Sequence, residues 1–278
     1  MGELSVIPVQ ATASHPAPQL QQVDRKLRSE YSRPRDGNVE SNLLILLHGL
    51  GDTAKPFAHL GQSLNLPQTA VLALQAPARI PLLEEEAYQW WDSFDHLGEV
   101  IQNPNPTETL ALLTKVLEHL VAPPTAVPPG CGWLPSQIHL FGFAQGASCA
   151  GELALAWSRS RPAAEHLASL VSVSAPLLSH PTLSTPAATK VGLVFRSGEE
   201  RATGAASWRK GFKDVREIKL PGGRGREGMP RGMDEWRDIM RFWSEVLIRR
   251  SALEFGKDVY EVTGGVAAAQ QAGPQPQP

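Results

Sequence analysis

At 278 residues with 42% hydrophobic side chains, the chain is long enough and apolar enough for one large domain with a sizeable core. Its 26 basic and 28 acidic residues leave a net charge of −2, so nothing in the charge balance points to nucleic acid or an anionic membrane surface as a partner. The two cysteines, Cys131 and Cys149, form neither a disulfide framework nor a metal-ligand spacing, so no metal and no cofactor is expected and a reducing, cytoplasmic setting is the simpler reading.

Residues 1–38 read as an N-terminal arm, partly disordered, with one short apolar run at residues 4–9 suited to an edge strand. The N-terminus has no basic stretch leading into a long apolar one, and no segment is long enough to span a bilayer, so no integral membrane association is expected. Residues 39–250 carry the alternation of strand and helix patterns that argues a mainly parallel central sheet with helices on both faces.

The first strand of that domain, Asn42-Leu43-Leu44-Ile45-Leu46-Leu47, is a continuous apolar run, as a central strand covered on both faces requires. It ends at His48-Gly49-Leu50-Gly51-Asp52-Thr53. Two glycines after a buried strand can turn backbone N–H groups toward the open end of the sheet, where they suit an anion; equally, this is a plain loop with Asp52 or Thr53 capping the next helix.

A second strand at residues 69–74 closes at Gln75-Ala76-Pro77 and leads into an aromatic-rich loop containing Trp90, Trp91 and Phe94. Trp90 and Trp91 either form an apolar pocket or lid, or anchor the loop to the core. The spacing of Leu110, Leu113, Val116, Leu117 and Leu120 predicts a covering helix over 106–121, and a Pro-rich surface loop follows.

Gln137-Ile138-His139-Leu140-Phe141-Gly142-Phe143-Ala144-Gln145-Gly146 reads as a buried strand, a glycine-bracketed turn and the start of a small-residue helix. This is the geometry of a nucleophile elbow, with a methyl group at the place of the nucleophile. Further strands are expected near residues 168–174, 191–195 and 216–220. A closing amphipathic helix is expected over 233–250 with Trp236, Ile239, Met240, Trp243 and Leu247 inward. Residues 251–278 read as a C-terminal tail, largely disordered.

The blocks His48-Gly49-Leu50-Gly51-Asp52-Thr53, Gln75-Ala76-Pro77, Trp90-Trp91-Asp92 and Gly142-Phe143-Ala144-Gln145-Gly146, in this order, resemble the phospholipase/carboxylesterase family of α/β hydrolases, which includes acyl-protein thioesterases. The resemblance covers roughly residues 39–250 and implies an α/β-hydrolase fold. In such enzymes a serine attacks an ester or thioester, a histidine takes its proton and an acid orients the histidine. Carried onto this chain, the resemblance puts Ala144 at the serine, Arg201 at the acid and Met229, six positions before Glu235, at the histidine. Leu50 and Gln145 match the backbone oxyanion donors.

No histidine follows His180, although the base lies near the end of the domain in this fold. Ser148 and Cys149 fall one turn down the helix, Glu199 and Glu200 read as solvated loop acids, and His48 reads as structural. Three functions stay open: an impaired pseudo-hydrolase that binds an acyl ligand or acylated protein, a hydrolase using other groups to activate water, and a structural interaction protein.

Overall fold

The computed structural model describes residues 5–8, 14–37, 39–81, 83–181, 185–198, 204–222, 228–250 and 260–263. In chain order the strands and α-helices are Ser5–Pro8 (β1), Ser29–Ser32 (β2), Asn42–Leu47 (β3), Ala54–Leu64 (α1), Thr69–Leu74 (β4), Ala78–Arg79 (β5), Tyr88–Gln89 (β6) and Thr107–Val121 (α2). There follow Ile138–Phe143 (β7), Gln145–Ser160 (α3), Ser169–Val173 (β8), Lys190–Arg196 (β9), Ala205–Gly211 (α4), Val215–Leu220 (β10), Gly232–Val246 (α5) and Tyr260–Thr263 (β11).

The chain divides into two units. One consists of residues 1–14 and 250–278. In it the apolar run near the N-terminus finds its partner at the other end of the chain: β1 pairs antiparallel with β11, Ser5 opposite Thr263. The other unit, residues 15–249, is built on a seven-stranded sheet in the order β10-β9-β8-β7-β3-β4-β2. Every neighbouring pair is parallel except β2 with β4, which is antiparallel, so the sheet is mainly parallel as the strand–helix alternation predicts.

Period-two alternation divides β3 between two cores. Leu43, Ile45 and Leu47 point into a cluster with Leu113 and Leu117 of α2 and with Leu153 and Trp157 of α3. Leu44 and Leu46 point the opposite way, toward Phe57 of α1 and Ile239, Phe242 and Trp243 of α5. Helices therefore cover both faces, which is why β3 is apolar at every position from Leu43 to Leu47. Leu20 and Leu27, from the stretch expected as an arm, are buried in the first cluster, and β2 forms the sheet edge beyond β4. The chain passes from β3 to β4 on one side and returns to β7 on the other. That reversal opens a crevice at the carboxyl ends of β3 and β7.

At the opposite end of the same strands a polar lock joins the start of β3 to the residues after α5. The Asn42 side chain donates to the Ile248 carbonyl and accepts from its N–H, both at 2.9 Å. His139, fully buried beside it, donates from Nε2 to Asn42 Oδ1 at 3.2 Å and accepts at Nδ1 from the Ser169 hydroxyl at 2.8 Å. Desolvation pushes the His139 pKa from 6.5 down to about 3.

Between those two values the unfolded chain binds a proton that the native chain does not, so stability falls as pH drops below 6.5 and is unaffected above it. His48, lowered by the same desolvation, acts with the same sign. Denaturant titrations should give a constant stability between about pH 7 and about pH 8 and a loss on the order of 1 kcal/mol per pH unit below about pH 6.5. His139→Gln should flatten that slope, and an unchanged slope in the variant would show that His139 does not cause it.

Candidate active site

Strand β7 runs into α3 through one residue, Ala144, whose φ of 47° and ψ of −117° lie outside the regions that L-residues favour. Its N–H is held by the Val173 carbonyl at 2.9 Å, and its own carbonyl accepts from Ala147 and Ser148 at 3.0 and 3.1 Å. The turn is so tight that neither flanking glycine tolerates a side chain. A Cβ on Gly142 would lie 2.4 Å from the Ala147 Cα, and one on Gly146 would lie 2.4 Å from the carbonyl oxygens of Leu47 and His48. These close approaches put the N-terminus of α3 against the carboxyl ends of β7 and β3, with Gln145 as the first helical residue, whose N–H has no intrahelical acceptor.

The Gln145 side chain, buried, does something the sequence pattern did not announce. Its Oε1 accepts the Trp90 N–H at 2.8 Å, and its Nε2 donates to the Trp91 carbonyl at 3.3 Å and to the Ser93 hydroxyl at 2.7 Å. Trp90, with 2% of its surface exposed, donates its indole N–H to the His48 carbonyl at 2.8 Å and so anchors the aromatic loop. His48 in turn donates from Nδ1 to the Gly49 carbonyl at 2.7 Å and accepts at Nε2 from the Ala76 N–H at 3.0 Å, a neutral tautomer fixed by both partners. The loop carrying Leu50, the loop carrying Trp90 and Trp91, and the elbow are thus one connected polar network. Trp91 is half-buried, and Leu50 is 42% exposed.

Phe143 joins the remaining segment. A Cβ on Gly49 would lie 2.7 Å from its ring and one on Gly228 would lie 3.6 Å from it, so the ring fits between the Leu50 loop and the segment bearing Met229. Met229 packs at the edge of the second core cluster with Phe143 and Trp236. Its backbone is fixed by Arg196, at the end of β9, which is 2% exposed. The guanidinium makes a forked pair with Glu235, at 3.0 and 2.9 Å, and donates to the Met229 and Pro221 carbonyls, both at 3.0 Å. Glu235 also accepts the Arg231 N–H at 2.7 Å. Arg196 and Glu235 stand 39 residues apart, and no spacing rule links a strand-end arginine to a carboxylate in the first turn of α5. Only the fold brings them together.

Arg201, Glu199 and Glu200 lie outside the described residues. Ser148 is buried and donates to the Pro176 carbonyl at 2.7 Å. Cys149 has no exposed surface, and burial, with the nearby Glu152 carboxylate, pushes its thiol up, away from the reactive thiolate. Neither group faces the crevice as a nucleophile would.

Backbone strain at Ala144 costs on the order of 1–3 kcal/mol, whereas a glycine there would give back about 0.4–1 kcal/mol through its freer unfolded chain. Ala144→Gly is therefore expected to raise stability by about 1 kcal/mol in denaturant titration. A destabilised variant would show that packing of the methyl outweighs the strain.

A sequence profile of the phospholipase/carboxylesterase family matches residues 35–196. An uncharacterized hydrolase of Mycosarcoma maydis is 40% identical over 230 residues, which cover 81% of this chain and 84% of that one. Among solved structures, esterase PE8 superposes with a TM-score of 0.62 at 20% identity, covering 80% of this chain and 99% of the other. Acyl-protein thioesterase 2 of Zea mays superposes with a TM-score of 0.57 at 18% identity, covering 82% and 99%. These structures share the α/β-hydrolase fold, with helices around a mostly parallel sheet of seven strands. By sequence and by fold, the chain belongs to the phospholipase/carboxylesterase family of α/β hydrolases.

Proposed function

We propose that this member of the family is a pseudo-hydrolase of the cytoplasm: it keeps the hydrolase scaffold, has lost the charge relay, and acts by binding an acyl ligand or an acylated protein. The observation that carries the reading is the elbow itself. Ala144 keeps the strained backbone of a nucleophile-bearing turn while offering only a methyl group, and no histidine follows His180 in the chain to serve as a base. Met229 offers only a thioether at the position the resemblance gives to the histidine, partly buried against the second core cluster.

Binding outlives the triad on physical grounds. In serine hydrolases lacking a triad member, an acceleration on the order of 10³–10⁴ over water remains from the oxyanion hole and binding alone. The Leu50 and Gln145 N–H groups are proposed as such a vestigial pair. The two loops tied to the elbow also present apolar side chains to solvent, Leu50 on one and Phe94, Leu97 and Val100 on the other, a surface suited to an acyl chain. Among the described residues no helix is long and apolar enough to cross a membrane. Buried free thiols and no described disulfide suit a reducing compartment.

Stepwise reconstruction tests the reading. Ala144→Ser alone should leave hydrolysis of short-chain p-nitrophenyl esters at the level of the unmutated protein purified in parallel, because a serine hydroxyl without a neighbouring base is a weak nucleophile. Ala144→Ser with Met229→His should give measurable turnover, increased further by an acid in place of Arg201. Robust hydrolysis by the single serine variant would reveal a base elsewhere and overturn the reading.

A further inference from the structure

Beyond the elbow, the described residues enclose a half-open cleft of about 750 Å³ on the outer side of the Trp90–Trp91 segment. Neither Ala144, Leu50, Gln145 nor Met229 lines it. One wall is the exposed face of α2, where Glu108, Leu112 and Lys115 follow at helical spacing. Asp24, Lys26, Trp91 and Asp92 line it as well. The volume falls within the range of small-molecule sites.

The chemistry of the lining narrows the occupant. Three carboxylates and two ammonium groups surround the cleft, and among the described residues none of these five charges is ion-paired. An acyl chain placed there would desolvate them without return, and a ligand carrying a single charge would meet like charge in the lining. Donors and acceptors in near balance, with the amides of Asn103 and Asn105 offering both, match an uncharged group that gives and accepts at once, such as the hydroxyl. Half-buried Trp91 adds an aromatic side chain against which the C–H face of a sugar ring can pack.

We propose that this cleft binds a neutral polyhydroxylated ligand of about disaccharide size. The ligand's hydroxyls donate to Asp24, Asp92 and Glu108 and accept from Lys26 and Lys115, and a ring face lies on Trp91. The site rests on no part of the reading of the elbow. It nevertheless shares a loop segment with it: the Trp91 carbonyl accepts from Gln145, and the Trp90 carbonyl accepts from the Thr109 hydroxyl of α2. Occupancy thereby bears on the loop that Gln145 holds.

Titration calorimetry of the full chain with sucrose, trehalose, maltose and cellobiose tests the proposal, with glycine betaine as a zwitterion and hexanoate as an acyl anion. The expected result is saturable binding of at least one disaccharide, with an affinity in the millimolar range or tighter. Glu108→Gln and Asp92→Asn, both at exposed positions, should each weaken it about tenfold. Met233→Ala, outside the cleft, should leave it unchanged. Circular dichroism confirms that each variant is folded before it is read. Absence of saturable binding with all four sugars, saturation by betaine or hexanoate instead, or equal affinity in the Glu108 and Asp92 variants would overturn the proposal.

Discussion

A Cβ on Gly146 would lie 2.4 Å from two backbone oxygens of the β3 end, and a Cβ on Gly142 would lie 2.4 Å from the backbone of α3. Contact this close is possible only between bare backbones, and the rest of the carboxyl end of the sheet follows from it. The approach leaves Ala144 no favourable conformation, sets the first N–H groups of α3 at the mouth of the crevice, and places the Gln145 side chain where it can hold Trp90, Trp91 and Ser93. The network through Trp90 and His48 then fixes the Leu50 loop. The strained turn at Ala144 is also the joint on which two loops are built.

A second constraint holds the segment that bears Met229. The forked Arg196–Glu235 pair, nearly removed from solvent, fastens the Met229 carbonyl to the end of β9. Breaking such a pair leaves a buried charge uncompensated, so the segment is set firmly in place. What it presents is a partly buried thioether at the edge of the second core cluster. The scaffold around Ala144 and Met229 is ordered by hydrogen bonds and ion pairs of its own.

The sheet was legible in the sequence where burial on both faces forces a continuous apolar run, as in Leu43 to Leu47 or in β8 and β9. It was not legible at β2, whose Ser-Glu-Tyr-Ser carries no such run because an antiparallel edge strand is half solvated. Nor did Leu20 and Leu27, isolated among polar residues, announce that they are buried. At the site, the glycine spacing disclosed the turn, since only glycine fits there. The role of the Gln145 side chain and the pairing of Arg196 with Glu235 were beyond sequence reach, because both are tertiary contacts between distant segments with no periodicity. Trp90 illustrates the limit: composition left anchor and pocket open, and the fold makes its buried ring an anchor whose outer side borders a cleft.

The central claim is that the elbow survives as structure without its chemistry. It is tested most directly on the unmutated protein by exposure to a fluorophosphonate probe, with intact-mass measurement and mapping of any modified residue. The account predicts no adduct at the crevice, because no activated hydroxyl stands at residue 144. A stoichiometric adduct on a serine or threonine beside Ala144, abolished by mutating that residue, would show a working nucleophile and contradict the account.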